Sequence, residues 1–171
     1  MLISKLGSLL VLAATLVSVS AAQELSDAPP APMPTQLASA KKIFISNAGR
    51  EETLVDYIKS CTGSPDGVYN QFYAAMKSWG RYQLVGAPAD ADLIFEIRAD
   101  TGEPSTPYPE LRVNILDPQT HVRLWTVSQE FTLAVRVATK RKEYNQAMSA
   151  FVDSVKKATT QTTAAANVPV K

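Results

Sequence analysis

The sequence holds one cysteine and one histidine in 171 residues. A metal site built from those two residue types alone needs three or four ligands, so none can form. There is no basic excess either, because 17 lysines and arginines stand against 16 acids. That balance lacks the electrostatic footprint of a nucleic-acid binder. No G-x-S-x-G nucleophile elbow, G-x-x-x-x-G-K phosphate loop or H-E-x-x-H zinc motif occurs. His121 is the one imidazole that a catalytic triad could use, and it follows a turn, where an exposed side chain is the plainer reading. The sequence therefore predicts no cofactor and no enzyme. What it does contain, 46% hydrophobic and 19% charged residues, is the composition of a globular chain.

The first 22 residues read as a signal peptide. Lys5 precedes the apolar run Leu9 to Val17, and Val19-Ser20-Ala21-Ala22 offers small-x-small cleavage after Ala21 or Ala22. The run is shorter than the roughly 20 residues a membrane helix needs. No later segment is long and apolar enough to span a membrane, so the expected location is periplasmic or extracellular. Cleavage removes Lys5 and no acid, leaving the mature chain formally neutral. Any electrostatic attraction must then come from local patches. In an exported chain, Cys61 has no partner for an internal disulfide. It is expected as a partly buried free thiol, with an intermolecular disulfide as the alternative.

Residues 23–39 carry Pro29, Pro30, Pro32 and Pro34 and read as an extended linker. Residues 159–171 form a Thr/Ala/Val tail without apolar periodicity. A single domain is expected over 40–158. Its first strand is Lys42 to Ser46, stopped by Asn47-Ala48-Gly49, and a weak helical pattern covers Glu52 to Lys59. A better helix starts at Ser64-Pro65-Asp66-Gly67, with Val68, Phe72, Ala75, Met76 and Trp79 on one stripe and Gly80 at its end. Strands follow at Tyr82 to Val85, at Leu93 to Arg98, at Leu111 to Ile115 and at His121 to Leu133. The last two are expected to form an antiparallel hairpin. A final helix from Lys140 to Ala158 shows Tyr144, Ala147, Met148, Phe151, Val155 and Ala158 on one face. The predicted class is α+β, a two-layer sandwich. It has a mostly antiparallel sheet of about five strands and two main amphipathic helices on one face.

The run Ala89-Asp90-Ala91-Asp92-Leu93-Ile94-Phe95-Glu96-Ile97 and the hairpin from Val113 through Asp117-Pro118-Gln119-Thr120 to Trp125 carry a resemblance. They resemble small uncharacterised exported bacterial proteins and the accessory domains of the TolB N-terminal type and of the curli-secretion lipoprotein. The resemblance implies an envelope-associated, non-catalytic fold and brings no active site. The chain departs from such lipoproteins in lacking a lipobox cysteine.

Two surfaces are candidates for binding. Arg136, Lys140, Arg141 and Lys142 form the densest positive cluster. They offer a site for an anionic envelope component, unless the helix begins one turn later near Glu143 and the cluster is a solvated loop. The loop Thr101 to Glu110 holds Pro104, Pro107 and Pro109, and Tyr108 offers an aromatic contact with a polar tip. Trp79 and Trp125 fit the core periodicity. The leading expectation is a non-catalytic exported binding or accessory protein, whose partner is an envelope protein or an anionic envelope component. The alternative is a small extracytoplasmic hydrolase using Asp90, Asp92, Asp100 and Glu103. Convergence of those acids in one cleft is what separates the two.

Overall fold

A computed structural model describes residues 32–101 and 108–160. The expected signal peptide, most of the linker, Glu103 and the last eleven residues lie outside the described residues. The chain runs α1 (Gln36–Ser39), β1 (Lys42–Arg50), α2 (Val55–Thr62), α3 (Gly67–Trp79), β2 (Gln83–Leu84), β3 (Leu93–Asp100), β4 (Glu110–Leu116), β5 (Arg123–Glu130) and α4 (Val137–Thr160).

The five strands form one mixed sheet in the order β2-β1-β3-β4-β5. β1 pairs in parallel with both β2 and β3, while β3–β4 and β4–β5 are antiparallel. Alternation assigns the faces. Ile43, Ile45, Leu93, Phe95, Ile97, Ala99, Leu111, Val113, Ile115 and Val127 are all buried, and their registers place them on one side. Helices α3 and α4 close that side, and Phe72 and Phe151 meet across them with ring centroids 5.6 Å apart. The predicted α+β sandwich is the observed one. Trp79 and Trp125 are half-buried against this core, as their periodicities indicated.

Several elements differ from their expected bounds for physical reasons. β1 continues past Ser46 because Asn47-Ala48-Gly49 forms an irregularity within the strand. Gly49 takes φ 80°, and its N–H donates to the Asn47 side-chain oxygen at 3.0 Å. α1 lies within the stretch expected as linker, where Leu37 is buried, and α4 reaches Thr160 with Thr159 buried. β5 ends at Glu130 and not at Leu133. His121 stands before the strand, at φ 55° in the turn held by Asp117.

Candidate functional site

α4 begins at Val137, so the cluster is not a loop preceding a helix near Glu143. Arg136 is the residue just before the helix, and its carbonyl accepts from the Lys140 N–H at 2.8 Å. Lys140, Arg141 and Lys142 therefore occupy the first two turns, where no acid stands in the first turn. The free N–H groups of a helix start carry partial positive charge, so Arg136 and Lys140, at and within the first turn, oppose the macrodipole, an effect that fades toward Arg141 and Lys142. Among the described residues, none of Arg136, Lys140, Arg141 and Lys142 belongs to an ion pair.

The approach to this helix is held firmly. The Tyr57 hydroxyl donates to the Thr132 carbonyl at 3.1 Å. Its ring packs on Phe131 at 5.8 Å between centroids and takes the Lys140 ammonium over its face at 5.3 Å. Phe131 in turn meets Tyr144 edge-on at 6.0 Å, and its N–H donates to the Pro109 carbonyl at 2.9 Å. That last bond brings the Tyr108 backbone to the same end of the sheet as Leu133. Of the second candidate surface, residues 102–107 lie outside the described residues.

Between those anchors and the cations, the chain exposes apolar side chains. Leu133 is 50% exposed, Val135 90% and Val137 60%, and Tyr108 is 58% exposed. Sequence reasoning missed Leu133, Val135 and Val137. It placed Leu133 in the strand, because alternation alone does not distinguish a paired strand from an extended segment beyond its end.

Cys61 is buried beneath this region. Burial pushes its thiol above the usual value, although Ser60, Tyr57, Lys140 and Arg141 pull the other way. Burial also raises the hydroxyl of Tyr57 and, more strongly, that of Tyr144. A buried thiol with a raised pKa is a poor nucleophile.

Of the acids in the hydrolase alternative, Glu103 lies outside the described residues, and Asp92 and Asp100 stand at opposite ends of β3. Asp90 sits in a single turn of 3₁₀-helix at Pro88–Asp90 and is exposed. Asp92 caps the start of β1, accepting from the Lys41 and Lys42 N–H groups at 2.8 and 2.9 Å, and those bonds lower its pKa. Asp100 ends β3, eight residues further on, which is about 25 Å along a strand. A glycosidase pair needs roughly 5–10 Å. Asp100 is instead buried and committed to arginines on the sheet face opposite α3 and α4. It pairs with Arg98 at 2.5 Å and with Arg112 at 3.8 Å, while Arg112 also contacts Glu110. Beside them, Asn114 donates to Glu96 at 3.3 Å and accepts from the Thr126 hydroxyl at 3.0 Å.

Among the described residues, no three His, Cys, Asp or Glu side chains gather as a metal site. Two grooves run beside β5 and α4. One, of about 340 Å³, is lined by Met33, Trp125, Val127, Lys157 and Ala158; the other, of about 250 Å³, by Glu130, Thr132, Glu143 and Gln146 among others. No helix of the described residues is long and apolar enough to cross a membrane.

The described residues form an α+β sandwich with a paired charge ladder on the sheet face opposite α3 and α4, and a basic patch at one helix start that has no acidic partner among them. No protein-family description matches the chain, and no curated protein matches it. Solved structures similar to it include a DUF330 protein from Xanthomonas campestris, at 15% identity and a TM-score of 0.42, covering 68% of this chain and 82% of that one. The PelC dodecamer from Paraburkholderia phytofirmans is similar at 14% identity and 0.38, covering 70% and 86%. Uncharacterized lipoprotein B from Nitrosomonas europaea is similar at 9% and 0.36, covering 78% and 90%. None of these three is a TolB or curli-secretion protein.

Proposed function

We propose that this chain is an exported, non-catalytic binding protein of the cell envelope, and that Arg136, Lys140, Arg141 and Lys142 contact an anionic component there. The observation that carries the reading is the placement of these cations. They crowd the end of α4 that disfavours positive charge, with no acid paired to them among the described residues. An arrangement that costs stability in the free protein is accounted for by a partner that supplies the missing negative charge. The leader pattern of residues 1–22 supports an extracytoplasmic location. The wide spacing of Asp92 and Asp100 along β3 favours the binding reading over a hydrolase that uses those two acids together.

Crosslinking in intact cells, followed by fractionation, tests the reading. The processed chain, beginning at Ala22 or Gln23, is expected in the envelope fraction, and the variant Lys140→Glu/Arg141→Glu/Lys142→Glu is expected to lose its crosslinks. Retention of the same crosslinks by that variant would remove the patch from the account. Recovery of an unprocessed chain in the cytosol would remove the location.

A further inference from the structure

The same patch has an apolar half that a purely ionic contact does not use. Five large hydrophobic residues are exposed among the described residues, and three of them, Leu133, Val135 and Val137, fall within five consecutive positions. Isolated exposed aliphatics are ordinary on a protein surface. Together with Arg136, Lys140, Arg141 and Lys142 they give residues 133–142 both exposed aliphatic and cationic side chains. The segment is anchored beneath by the Tyr57 hydroxyl on Thr132 and by the Phe131 ring between Tyr57 and Tyr144. Those contacts hold the base of the segment at Phe131 and Thr132, and residues 133–136 beyond it carry no regular secondary structure.

We infer that residues 133–142 dock this protein onto an anionic lipid surface, with Leu133, Val135 and Val137 entering the headgroup region and the cations meeting lipid phosphates. The inference rests on the patch being the contact surface, and it names what that surface contacts. Charge complementarity selects the lipid. The chain as a whole is nearly neutral, so attraction must come from this cluster, and each cation near an anionic membrane strengthens binding about fivefold. The exposed Leu133, Val135 and Val137 select a membrane over a soluble polyanion, which has no hydrocarbon to receive them. A standard-size specific protein interface takes about 20–30 residues on each side, more than residues 133–142 supply.

Vesicle sedimentation of the purified processed protein decides the matter. The probes are phosphatidylglycerol/phosphatidylethanolamine vesicles, neutral phosphatidylcholine vesicles and soluble inorganic polyphosphate. The native protein is expected to bind the anionic vesicles and not the neutral ones. Leu133→Ser/Val135→Ser/Val137→Ser is expected to weaken anionic-vesicle binding at least about tenfold while leaving any polyphosphate binding unchanged. These side chains are exposed, and an unchanged thermal melt confirms that the variant folds. Equal vesicle binding by the serine variant would overturn lipid docking, as would polyphosphate binding as tight as vesicle binding. In both cases sensitivity to Lys140→Glu/Arg141→Glu/Lys142→Glu would still uphold an anionic contact. If that reversal changes nothing, both readings fall.

Discussion

The two ends of α4 treat positive charge in opposite ways. At the C-terminal end, Lys157 sits in the last turn, and the Arg81 guanidinium donates to the Thr159 carbonyl at 2.9 Å and to the Ala38 carbonyl at 3.0 Å. Arg81 also lies over the rings of Trp79 and Tyr82, at 5.8 and 5.2 Å. Here cations satisfy the free carbonyls of a helix end and tie α1, α3 and α4 together. At the N-terminal end, Arg136, Lys140, Arg141 and Lys142 meet a helix start that repels them. Among the described residues, Lys140 alone of the four has a partner, and it is the face of Tyr57 rather than an acid. One end uses its cations to hold the fold, and the other leaves its charge without an acidic partner among the described residues. The sheet face opposite α3 and α4 falls on the folding side of this division, since Arg98 and Arg112 are matched by Asp100 and Glu110.

The comparison breaks if substitutions at the two ends behave alike. Arg81→Ala should have the largest effect on stability, about 1–2 kcal/mol lost in urea unfolding, through its charged hydrogen bonds, with envelope attachment intact. Tyr57→Phe removes the bond to Thr132 and should cost about 1 kcal/mol; because it loosens residues 131–137, attachment should also weaken severalfold. Reversal of Lys140, Arg141 and Lys142 to glutamate should do the opposite of Arg81→Ala. Stability should rise, by less than about 1 kcal/mol, because acids suit a helix start, while attachment is lost. The smallest effect concerns pH. Burial holds the Cys61 thiol above its usual value of 9.0, so the unfolded chain ionises first. Its contribution to stability is intact below that value and is lost as pH rises through the folded pKa. Cys61→Ala should flatten the alkaline end of a pH–stability curve, and a thiol reagent should label native Cys61 far more slowly than the urea-unfolded chain.

Much of the fold could be read from the sequence, because burial follows period. The stripes of Val68, Phe72 and Met76 and of Tyr144, Phe151 and Val155 marked α3 and α4, and the alternation at Leu93, Phe95 and Ile97 marked β3. The start of α4 was hidden because its first buried residue is Tyr144, so the turns before it carry no apolar signal. Asn47-Ala48-Gly49 looked like a stop because the residues that end a strand also make a bulge. The parallel pairing of β1 with β3 leaves no local trace, since it joins segments far apart in sequence. Of the site, the four cations and Tyr108 were legible as composition. The exposed Leu133, Val135 and Val137 were not, because hydropathy reports what a side chain prefers and not where the fold leaves it. The ladder through Asp100 became visible only when the β3–β4 register put it beside Glu110 and Arg112.

The central claim is that the start of α4 holds charge for a partner outside the chain. The most direct measurement is the fraction of the protein that sediments with cell membranes, compared between the native chain, Lys140→Glu/Arg141→Glu/Lys142→Glu and the control Arg123→Glu, which alters an exposed cation on β5. The account predicts sedimentation of the native and control proteins and release of the triple variant into the supernatant. Equal sedimentation of all three would contradict it.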